Sequence, residues 1–242
     1  MIIIPARLAS TRFPNKILAD VLGLPMVIKT AKAVQNIDDI VIATDSNEVL
    51  EIAKKHKIDA ILTSISHNSG TDRINEAANK LGLKDNEIVI NVQADEPFIE
   101  SEIVQMVKNK IEAISNNSDF TMVSCYKKVD IDEANDPNLV KVVVDKNSNA
   151  LYFSRSLIPH DRDNIKIPYF AHLGIYGFTC KSLKEFCGFK EAPLENIEKL
   201  EQLRALYYER KINMIEVKSK SFGIDTKEDL QKAIKLFGQN LK

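Results

Sequence analysis

Residues 1–16 read MIIIPARLASTRFPNK, an apolar run that ends at Pro5 and opens directly into a loop with three cationic side chains. A short run of isoleucines closed by a proline is typical of a buried parallel strand. Arg7, Arg12 and Lys16 follow in the loop, where arginine forks suit phosphate oxygens and lysine adds a mobile charge. The loop has no glycine, which excludes the glycine-rich phosphate-binding motifs. The stretch therefore predicts a strand that leads into an anion site made of side chains.

Similar apolar runs recur along the first half of the chain, with helical patterns between them. The predicted strands are residues 1–5, 40–44, 60–62 and 88–92, and the predicted helices between them are 25–34, 47–56 and 71–81. This alternation indicates an α/β fold with a doubly wound, mostly parallel sheet and right-handed crossovers. In such a sheet ligands bind beyond the carboxyl ends of the strands. We therefore expect loops 6–16, 44–46 and 93–98 at one rim.

The remainder of the chain has a less regular pattern. Strands are predicted at 120–125, 140–145, 150–153, 173–178 and 213–217, and helices at 101–114, 197–209 and 226–237. Because no repeat, low-complexity tract or flexible linker marks a boundary, we expect one domain over residues 1–242. Residues from about 140–180 are interpreted as an antiparallel extension for substrate binding or dimerisation.

The composition limits the classes of function. The chain has 242 residues, 44% hydrophobic and 28% charged, with a formal net charge of -1. Such a chain has no general attraction to nucleic acid or anionic membranes. Its three cysteines show no C-x-x-C spacing, which favours a reducing cytoplasm over disulfides or a zinc site. The apolar start is too short for a signal peptide or a membrane span, so we expect a cytoplasmic protein without nucleic-acid or membrane partners.

Two carboxylates are candidates for a metal site. Asp95 follows the predicted strand 88–92, where a hard cation such as Mg2+ would find an oxygen ligand and bridge to phosphate. Asp225 precedes the last predicted helix and could reach the same rim. Each also has a structural interpretation, because Asp95 suits a strand-to-helix turn and Asp225 or Thr226 suits a helix cap.

Arg73 and His172 are open to two interpretations as well. Arg73 lies at the start of a predicted helix. It is either a solvated residue behind a cap at Thr71 or Asp72, or a contact to a nucleotide base or phosphate. His172 and Tyr176 share one face of a predicted strand, so His172 is either a structural histidine or part of a ligand-facing surface.

Taken together, six segments resemble the 3-deoxy-manno-octulosonate cytidylyltransferases, or CMP-Kdo synthetases, a family of sugar cytidylyltransferases. They are PARxxSxRxPxK at 5–16, SGTDR at 69–73, VQADEP at 92–97, HLGIY at 172–176, EQLR at 201–204 and DTxEDL at 225–230. The first segment is shared with the acylneuraminate enzymes, and the later ones narrow the resemblance to the Kdo branch. The resemblance implies a nucleotide-diphospho-sugar transferase-like fold, CTP and Kdo as substrates, CMP-Kdo for lipopolysaccharide and pyrophosphate as products, Mg2+ dependence and a homodimer.

The resemblance also implies roles for the matching residues. Nucleotide binding falls to Pro5, Ala6, Arg7, Ser10, Lys16, Arg73 and Gln93, and sugar binding to Arg155, His172, Tyr176 and Gln202, with Glu198 and Glu201 as weaker candidates. Asp95 and Asp225 would hold Mg2+, and together with Arg7 and Lys16 they form the implied catalytic set. Arg12 either contacts phosphate or braces the loop, and the sequence leaves its role open.

Two residues depart from the family pattern. Asn15 and Ala94 stand where glycine is common, and alanine excludes backbone conformations that glycine allows. Two alternatives stay open: a cytidylyltransferase for another keto sugar acid, such as an acylneuraminate or 8-amino-Kdo, and a noncatalytic nucleotide-binding protein.

Overall fold

A computed structural model describes residues 1–10, 12–67, 69–117 and 119–238. In chain order the strands are β1 (Ile2–Ala6), β2 (Asp20–Val21), β3 (Leu24–Pro25), β4 (Ile40–Thr44), β5 (Asp59–Leu62), β6 (Ile88–Asn91), β7 (Phe120–Val129), β8 (Lys141–Val144), β9 (Ala150–Ser154), β10 (Tyr169–Thr179) and β11 (Lys211–Glu216). The helices are α1 (Met26–Val34), α2 (Asn47–Lys55), α3 (Gly70–Lys80), α4 (Ser101–Ile114), α5 (Ile131–Ala134), α6 (Cys180–Gly188), α7 (Pro193–Glu198), α8 (Leu203–Tyr207) and α9 (Lys227–Phe237).

The chain forms two compact units. The first unit contains residues 1–83, 89–105 and those from 220 onward, and the second contains 84–88 and 106–219.

The first unit is built on a parallel sheet with the strand order β6-β1-β4-β5. Ile2, Ile3 and Ile4 of β1 are fully buried, because β1 is an inner strand and helices follow the strands on either side. This burial explains why the strand is apolar without alternation. The predicted parallel α/β opening of the chain is confirmed.

Side-chain caps fix where the helices of this unit begin. Ser46 Oγ accepts a hydrogen bond from the N–H of Val49 at the start of α2. At α3 the cap is Ser69, whose Oγ accepts from the Asp72 N–H at 3.0 Å. The predicted cap at Thr71 or Asp72 is therefore wrong, because Ser69 is the last extended residue and Thr71 already lies inside the helix.

A strap, residues 220–224, fastens the last part of the chain to the segment after β6. Ser221 Oγ donates to Glu96 Oε2 at 3.1 Å, and the Ile224 N–H donates to the Asp95 carbonyl at 2.9 Å. Ser221 and Ile224 are fully buried, so these bonds are protected from water. The strap thus places the residue after Ile224 beside Asp95.

α9 follows the strap and is fixed at both of its ends. Thr226 Oγ1 accepts from the Asp229 N–H at 3.1 Å, and the Asp229 carboxylate accepts from the Thr226 N–H at 2.9 Å, which is a reciprocal capping box. At the other end Phe237 stacks on Phe98 with ring centroids 4.4 Å apart. Since Thr226 is the cap, the carboxylate of Asp225 is available for other contacts.

The second unit is built on a mixed sheet. β11 pairs with β7 in parallel, whereas the pairs β7–β10, β10–β8 and β8–β9 are antiparallel. The antiparallel character expected for the middle of the chain is therefore present, and its role in dimerisation stays a prediction. The assignment of residues 1–242 to one domain with a subregion at about 140–180 also stays a prediction.

The single helix predicted at 197–209 is wrong, since two short helices occupy this region. α7 ends at Glu198 because Lys199 adopts a left-handed backbone with φ 55°. Arg204 of α8 reaches back to α7, where its Nε and Nη2 donate to the two carboxylate oxygens of Glu195 at 2.9 and 2.6 Å. This buried bidentate pair sets the angle between the helices, and the local apolar pattern carries no signal of it.

Throughout the described ranges, no helix has both the length and the apolar character that crossing a bilayer requires.

Candidate functional site

A polar cavity of about 310 Å³ lies in the first unit, beyond the carboxyl ends of β1 and β6. The predicted residues that line it are Pro5, Arg7, Ser10, Lys16, Arg73, Gln93, Asp95 and Asp225. Residues that line it without having been predicted to bind ligand include Ala9, Arg12, Ile17, His67, Ser69, Gly70 and Ala94. The rim expected from the strand order is thus the rim that holds the cavity.

Lys16 is shared by two carboxylates at the centre of this cavity. Its Nζ donates to Asp95 Oδ2 at 2.6 Å and to Asp225 Oδ1 at 2.8 Å. Burial alone would lower the pKa of Lys16, but the two carboxylates raise it above its ordinary value. Burial alone would likewise raise the pKa of Asp225, whereas Lys16 and Arg12 hold it below its ordinary value. Lys16 is therefore charged and Asp225 ionised at neutral pH.

The residue before Lys16 directs the chain into this position. Asn15 has a left-handed backbone with φ 54°, and a 3-10 turn over Lys16–Leu18 follows it. Asparagine is among the residues that tolerate this conformation, so the departure from glycine at this position keeps the turn. Ala94, the second departure, is buried, and its carbonyl accepts from Thr30 Oγ1 at 2.9 Å. Its φ is not positive, so alanine fits there without strain.

The other cations of the opening loop are more exposed than Lys16. Arg12 Nη2 donates to Asp225 Oδ2 at 2.8 Å with 58% of its side chain exposed. This bond braces the opening loop against Asp225. Arg7 is exposed and Ser10 half-buried, and both line the cavity. Ala6 is fully buried in β1 and lies outside the described lining of the cavity, so its part in nucleotide binding stays a prediction.

Arg73 is buried within a polar network and also lines the cavity. Its guanidinium donates to Asp45 Oδ2 at 2.8 Å and to Thr63 Oγ1 at 2.6 Å, and the residue is 2% exposed. The interpretation of Arg73 as a solvated first-turn residue is therefore wrong. Asp45 was not predicted as a site residue, although it stands directly after β4 at the expected rim.

Asp45 connects the opening loop to this network. Its Oδ1 accepts from the Leu8 N–H at 3.2 Å while its Oδ2 holds Arg73. One half-buried carboxylate thus positions the backbone next to Arg7 and the guanidinium of Arg73. The sequence signal was present but weak, since an Asp after a strand also suits an ordinary turn.

Close packing beside Arg73 shapes the floor of the cavity. Gly70 faces Pro5, and a Cβ at this glycine would lie 3.2 Å from Pro5 Cγ. Gln93 Nε2 donates to Asn91 Oδ1 at 3.1 Å, which fixes the direction of the Gln93 amide. The glycine therefore leaves room for the side chains of Pro5 and Gln93 in the cavity wall.

His67 is another lining residue that the sequence did not reveal. Its Nε2 forms a short hydrogen bond with the carboxylate of Glu76. Partial burial opposes ionisation of Glu76, but hydrogen bonds from Lys80, the Ser64 N–H and His67 lower its pKa to about 2. A permanently charged carboxylate therefore orients the His67 ring at the cavity wall.

The chemistry of the donor set fits Mg2+. Asp95 and Asp225 present two hard oxygen ligands that already converge on one cationic group. Within the part of the chain that the structure describes, no cluster of three or more His, Cys, Asp or Glu side chains could hold a metal ion. A metal at this pair would take its other ligands from substrate oxygens and water, which is how Mg2+ is usually bound beside phosphates.

In the second unit, three of the predicted sugar-binding residues lie together. The ring centroids of His172 and Tyr176 are 5.5 Å apart, and the Tyr176 hydroxyl donates to Gln202 Oε1 at 3.4 Å. His172 Nε2 lies 2.9 Å from Ser124 Oγ. Burial lowers the pKa of His172 to about 3, and burial together with the charge of Glu201 raises the pKa of Tyr176. Both rings are therefore uncharged at neutral pH.

Arg155, the fourth predicted sugar-binding residue, is tied to Glu198. Its Nε donates to the Glu198 carbonyl at 2.8 Å, and its backbone N–H donates to Glu198 Oε2 at 2.9 Å. Ser154 Oγ donates to the other carboxylate oxygen of Glu198 at 2.6 Å. Glu198 thus positions the strand end that carries Arg155.

The chain is similar to known proteins over most of its length. The cytidylyltransferase family model matches residues 1–212. A 3-deoxy-manno-octulosonate cytidylyltransferase from a Nitratiruptor species is 56% identical over 96% of this chain and 97% of its own length. The protein of the same name from Wolinella succinogenes is 55% identical over 99% of this chain and 100% of its own length. Among solved structures, a CMP:2-keto-3-deoxy-manno-octonic acid synthetase complexed with CTP is similar with a TM-score of 0.91 and 34% identity, covering 99% of this chain and 98% of that one.

The Asp45–Arg73 pair predicts a large effect of removing Asp45. In Asp45→Ala the Arg73 guanidinium stays buried without its anion, and we expect a loss of about 3 kcal/mol or more in the free energy of unfolding. Urea denaturation measures this loss. Asp39→Ala is the matched control, because Asp39 precedes the same strand but is exposed. Equal losses in the two variants would show that Asp45 does not hold the network.

The lowered pKa of His172 predicts a dependence of stability on pH. Its pKa is about 3 in the folded protein and about 6.5 in an unfolded chain, so only the unfolded chain takes up this proton between those values. Stability from this group is therefore lost as the pH falls below 6.5, by about 2 kcal/mol at pH 5. Denaturation at pH 7 and pH 5 should show a smaller loss in His172→Gln than in the parent protein. His160→Gln, at an exposed histidine, should keep the parental dependence, and a parental dependence in His172→Gln would contradict the prediction.

Proposed function

The chain belongs to the cytidylyltransferase family, and we infer that it transfers CMP from CTP to the anomeric hydroxyl of Kdo, releasing pyrophosphate. Its relatives and the CTP complex among the solved structures support CTP and Kdo as the substrates. The observation that carries the mechanism is the placement of Lys16 against Asp95 and Asp225 inside one cavity. The product, CMP-Kdo, is activated Kdo for lipopolysaccharide.

The opening loop would hold the triphosphate. Attack of a hydroxyl on the α-phosphorus with departure of pyrophosphate depends on positioning and neutralisation of charge, with no covalent protein intermediate. Arg7 and Lys16 are the cations available for the departing pyrophosphate, with Ser10 as a hydrogen-bond donor on the same loop. Because Arg7 is exposed, its guanidinium is accessible to an incoming anion.

The nucleoside end of the substrate would lie against the other lining residues. Gln93 presents a fixed amide, which suits the hydrogen-bonding edge of a cytosine base. Arg73 is held by Asp45 and supplies a guanidinium edge at the same wall. Pro5 and Gly70 would contribute packing beside these groups.

Asp95 and Asp225 would hold Mg2+. When bound, Mg2+ would supply Lewis-acid polarisation of the α-phosphate and lower the pKa of the attacking hydroxyl. The chain's own contribution is to aim the two carboxylates at one point and to keep Asp225 ionised, for which its low pKa provides support.

The sugar acid would be bound by residues of the second unit. Its carboxylate requires a permanent cation, which Arg155 provides. His172 is uncharged at neutral pH, so it would act as a hydrogen-bonding and packing group toward the sugar hydroxyls, together with Tyr176 and Gln202. These assignments, and the weaker ones for Glu198 and Glu201, follow the resemblance and the contacts within this unit.

The reaction is tested by pyrophosphate release. With Mg2+ present we expect release from CTP and Kdo, and little release when UTP replaces CTP or when an acylneuraminate or 8-amino-Kdo replaces Kdo. Asp95→Asn and Asp225→Asn should each lower turnover about hundredfold or more, the scale of losing one preorganised charge in an active site.

Asp39→Asn provides the control, since this exposed carboxylate lies in the same unit but outside the described lining of the cavity. Near-normal turnover of Asp95→Asn would refute the carboxylate pair. CTP binding without pyrophosphate release for any of the sugars would instead favour a noncatalytic nucleotide-binding protein.

The protein is also proposed to work in the cytoplasm as a homodimer that pairs through its second unit. Large apolar side chains are exposed there, with Leu151 at 60%, Ile165 at 69% and Ile197 at 77%, and burying such groups drives association. Sedimentation equilibrium at micromolar concentration should give twice the chain mass. The double variant Leu151→Glu/Ile165→Glu should be monomeric, and a monomer for the parent protein would contradict the proposal.

A further inference from the structure

The group at the centre of the proposed metal site is a side chain of the protein itself. Lys16 Nζ lies 2.6 Å from Asp95 Oδ2 and 2.8 Å from Asp225 Oδ1. A Mg2+ ion bound by the same oxygens would lie about 2.0–2.1 Å from each of them. Because the oxygens converge on one point, an ammonium and a divalent cation cannot occupy it together. Lys16 and the metal are therefore competitors for one place.

The competition is strong because Lys16 is shielded from water. Its side chain is 11% exposed, compared with 58% for Arg12, the other cation on Asp225. Water and salt screen charge interactions much less at such a partly buried position than at the protein surface. A metal that enters must both displace the ammonium and leave it without an anionic partner in the same cavity.

The backbone at Asp95 and at Asp225 is held by hydrogen bonds that do not involve Lys16. The Ile224 N–H donates to the Asp95 carbonyl at 2.9 Å, and the Asp225 N–H donates to Asp229 Oδ2 at 3.1 Å within the cap of α9. Lys16, in contrast, ends in a flexible four-carbon stem. The lysine side chain can therefore move while the backbone that carries the two carboxylates stays in place.

The nucleotide offers Lys16 its alternative partner. Lys16 stands on the loop that also presents Arg7 and Ser10 to the cavity, so a triphosphate bound by this loop places anionic oxygens within reach of the same ammonium. Phosphate oxygens are strong partners for a lysine point charge. Movement of Lys16 to the phosphate would leave the carboxylate pair vacant and negatively charged.

We propose that Lys16 is a positioning residue whose ammonium prevents metal from binding to the Asp95–Asp225 pair until the ammonium binds nucleotide phosphate instead. This inference rests on the proposed function for the identity of the nucleotide and the metal. It makes metal binding at the pair conditional on nucleotide, and linkage then requires metal at the pair to favour nucleotide binding by the same factor. The carboxylates are thereby also kept from binding metal unproductively in the free protein.

Titration of the free protein with Mn2+, followed by electron paramagnetic resonance, tests the proposal without any substrate. Mn2+ takes the same octahedral oxygen ligands as Mg2+ and loses its signal on binding. We expect the parent protein to bind Mn2+ weakly and Lys16→Met to gain one site that binds more than about tenfold tighter, within the range of about 5- to 150-fold that such couplings span. Lys16→Arg, which keeps the charge, should bind as weakly as the parent.

Two further variants separate this effect from general electrostatics. Arg12→Gln removes a cation from Asp225 but leaves Lys16 in place, so Mn2+ affinity should rise by at most about fivefold, the effect of an exposed pair. Lys16→Met/Asp95→Asn should lose the gained site, which locates it at the carboxylate pair. Thermal unfolding of each variant establishes that it is folded.

The same Mn2+ titration is repeated with saturating CTP and without Kdo. The parent and Lys16→Met should then bind Mn2+ with affinities within about threefold of each other. In the parent the ammonium of Lys16 now contacts the nucleotide phosphates, so it no longer competes with Mn2+ for the carboxylates. Equal and tight Mn2+ binding by the parent and Lys16→Met without nucleotide would overturn the proposal, as would the absence of a gained site in a folded Lys16→Met. Neither result depends on pyrophosphate release, so failure of the proposed function is detected separately.

Discussion

The ammonium of Lys16, shared by Asp95 and Asp225, is the contact on which the arrangement of the cavity depends. Two carboxylates that point at one place repel each other, and without a cation one of them would tend to take up a proton. The positive charge of Lys16 lies between the two carboxylates and offsets this repulsion. Arg12 adds a second, more exposed positive charge beside Asp225. The opening loop and the carboxylates are therefore parts of one electrostatic unit in the free protein.

The three partners of this unit are far apart in the chain, and hydrogen bonds outside the ion cluster bring them together. The strap binds along the segment after β6 through Ser221 and Ile224, and the cap of α9 holds the residue that follows it. Lys16 is brought in by β1, whose buried isoleucines fix the start of the opening loop. The framework thus rests on hydrogen bonds that do not involve the ion pairs.

The sequence predicted the parts of this arrangement that local pattern determines. The apolar run at residues 1–5 indicated β1, and the strand order that follows from the alternation of elements placed the loops at one rim. It did not predict which cation pairs with which carboxylate, because that depends on contacts between residues far apart in the chain. Lys199 shows the same limit, since a lysine gives no sequence signal for the left-handed backbone that ends α7. Asp45 was missed because an Asp after a strand has a common local explanation.

The absence of glycine from the opening loop has a further physical consequence. A glycine-rich loop binds phosphate with backbone N–H groups, which carry partial charges and can be satisfied by water when the site is empty. A loop that binds with side-chain cations must instead provide anions for those cations, or leave them exposed. This protein does both: Lys16 and Arg73 have carboxylate partners inside the first unit, whereas Arg7 stands exposed at the cavity. Since the partners of Lys16 are also the proposed metal ligands, the proposed recognition of phosphate and of metal would use the same charges. A change in one would then alter the other.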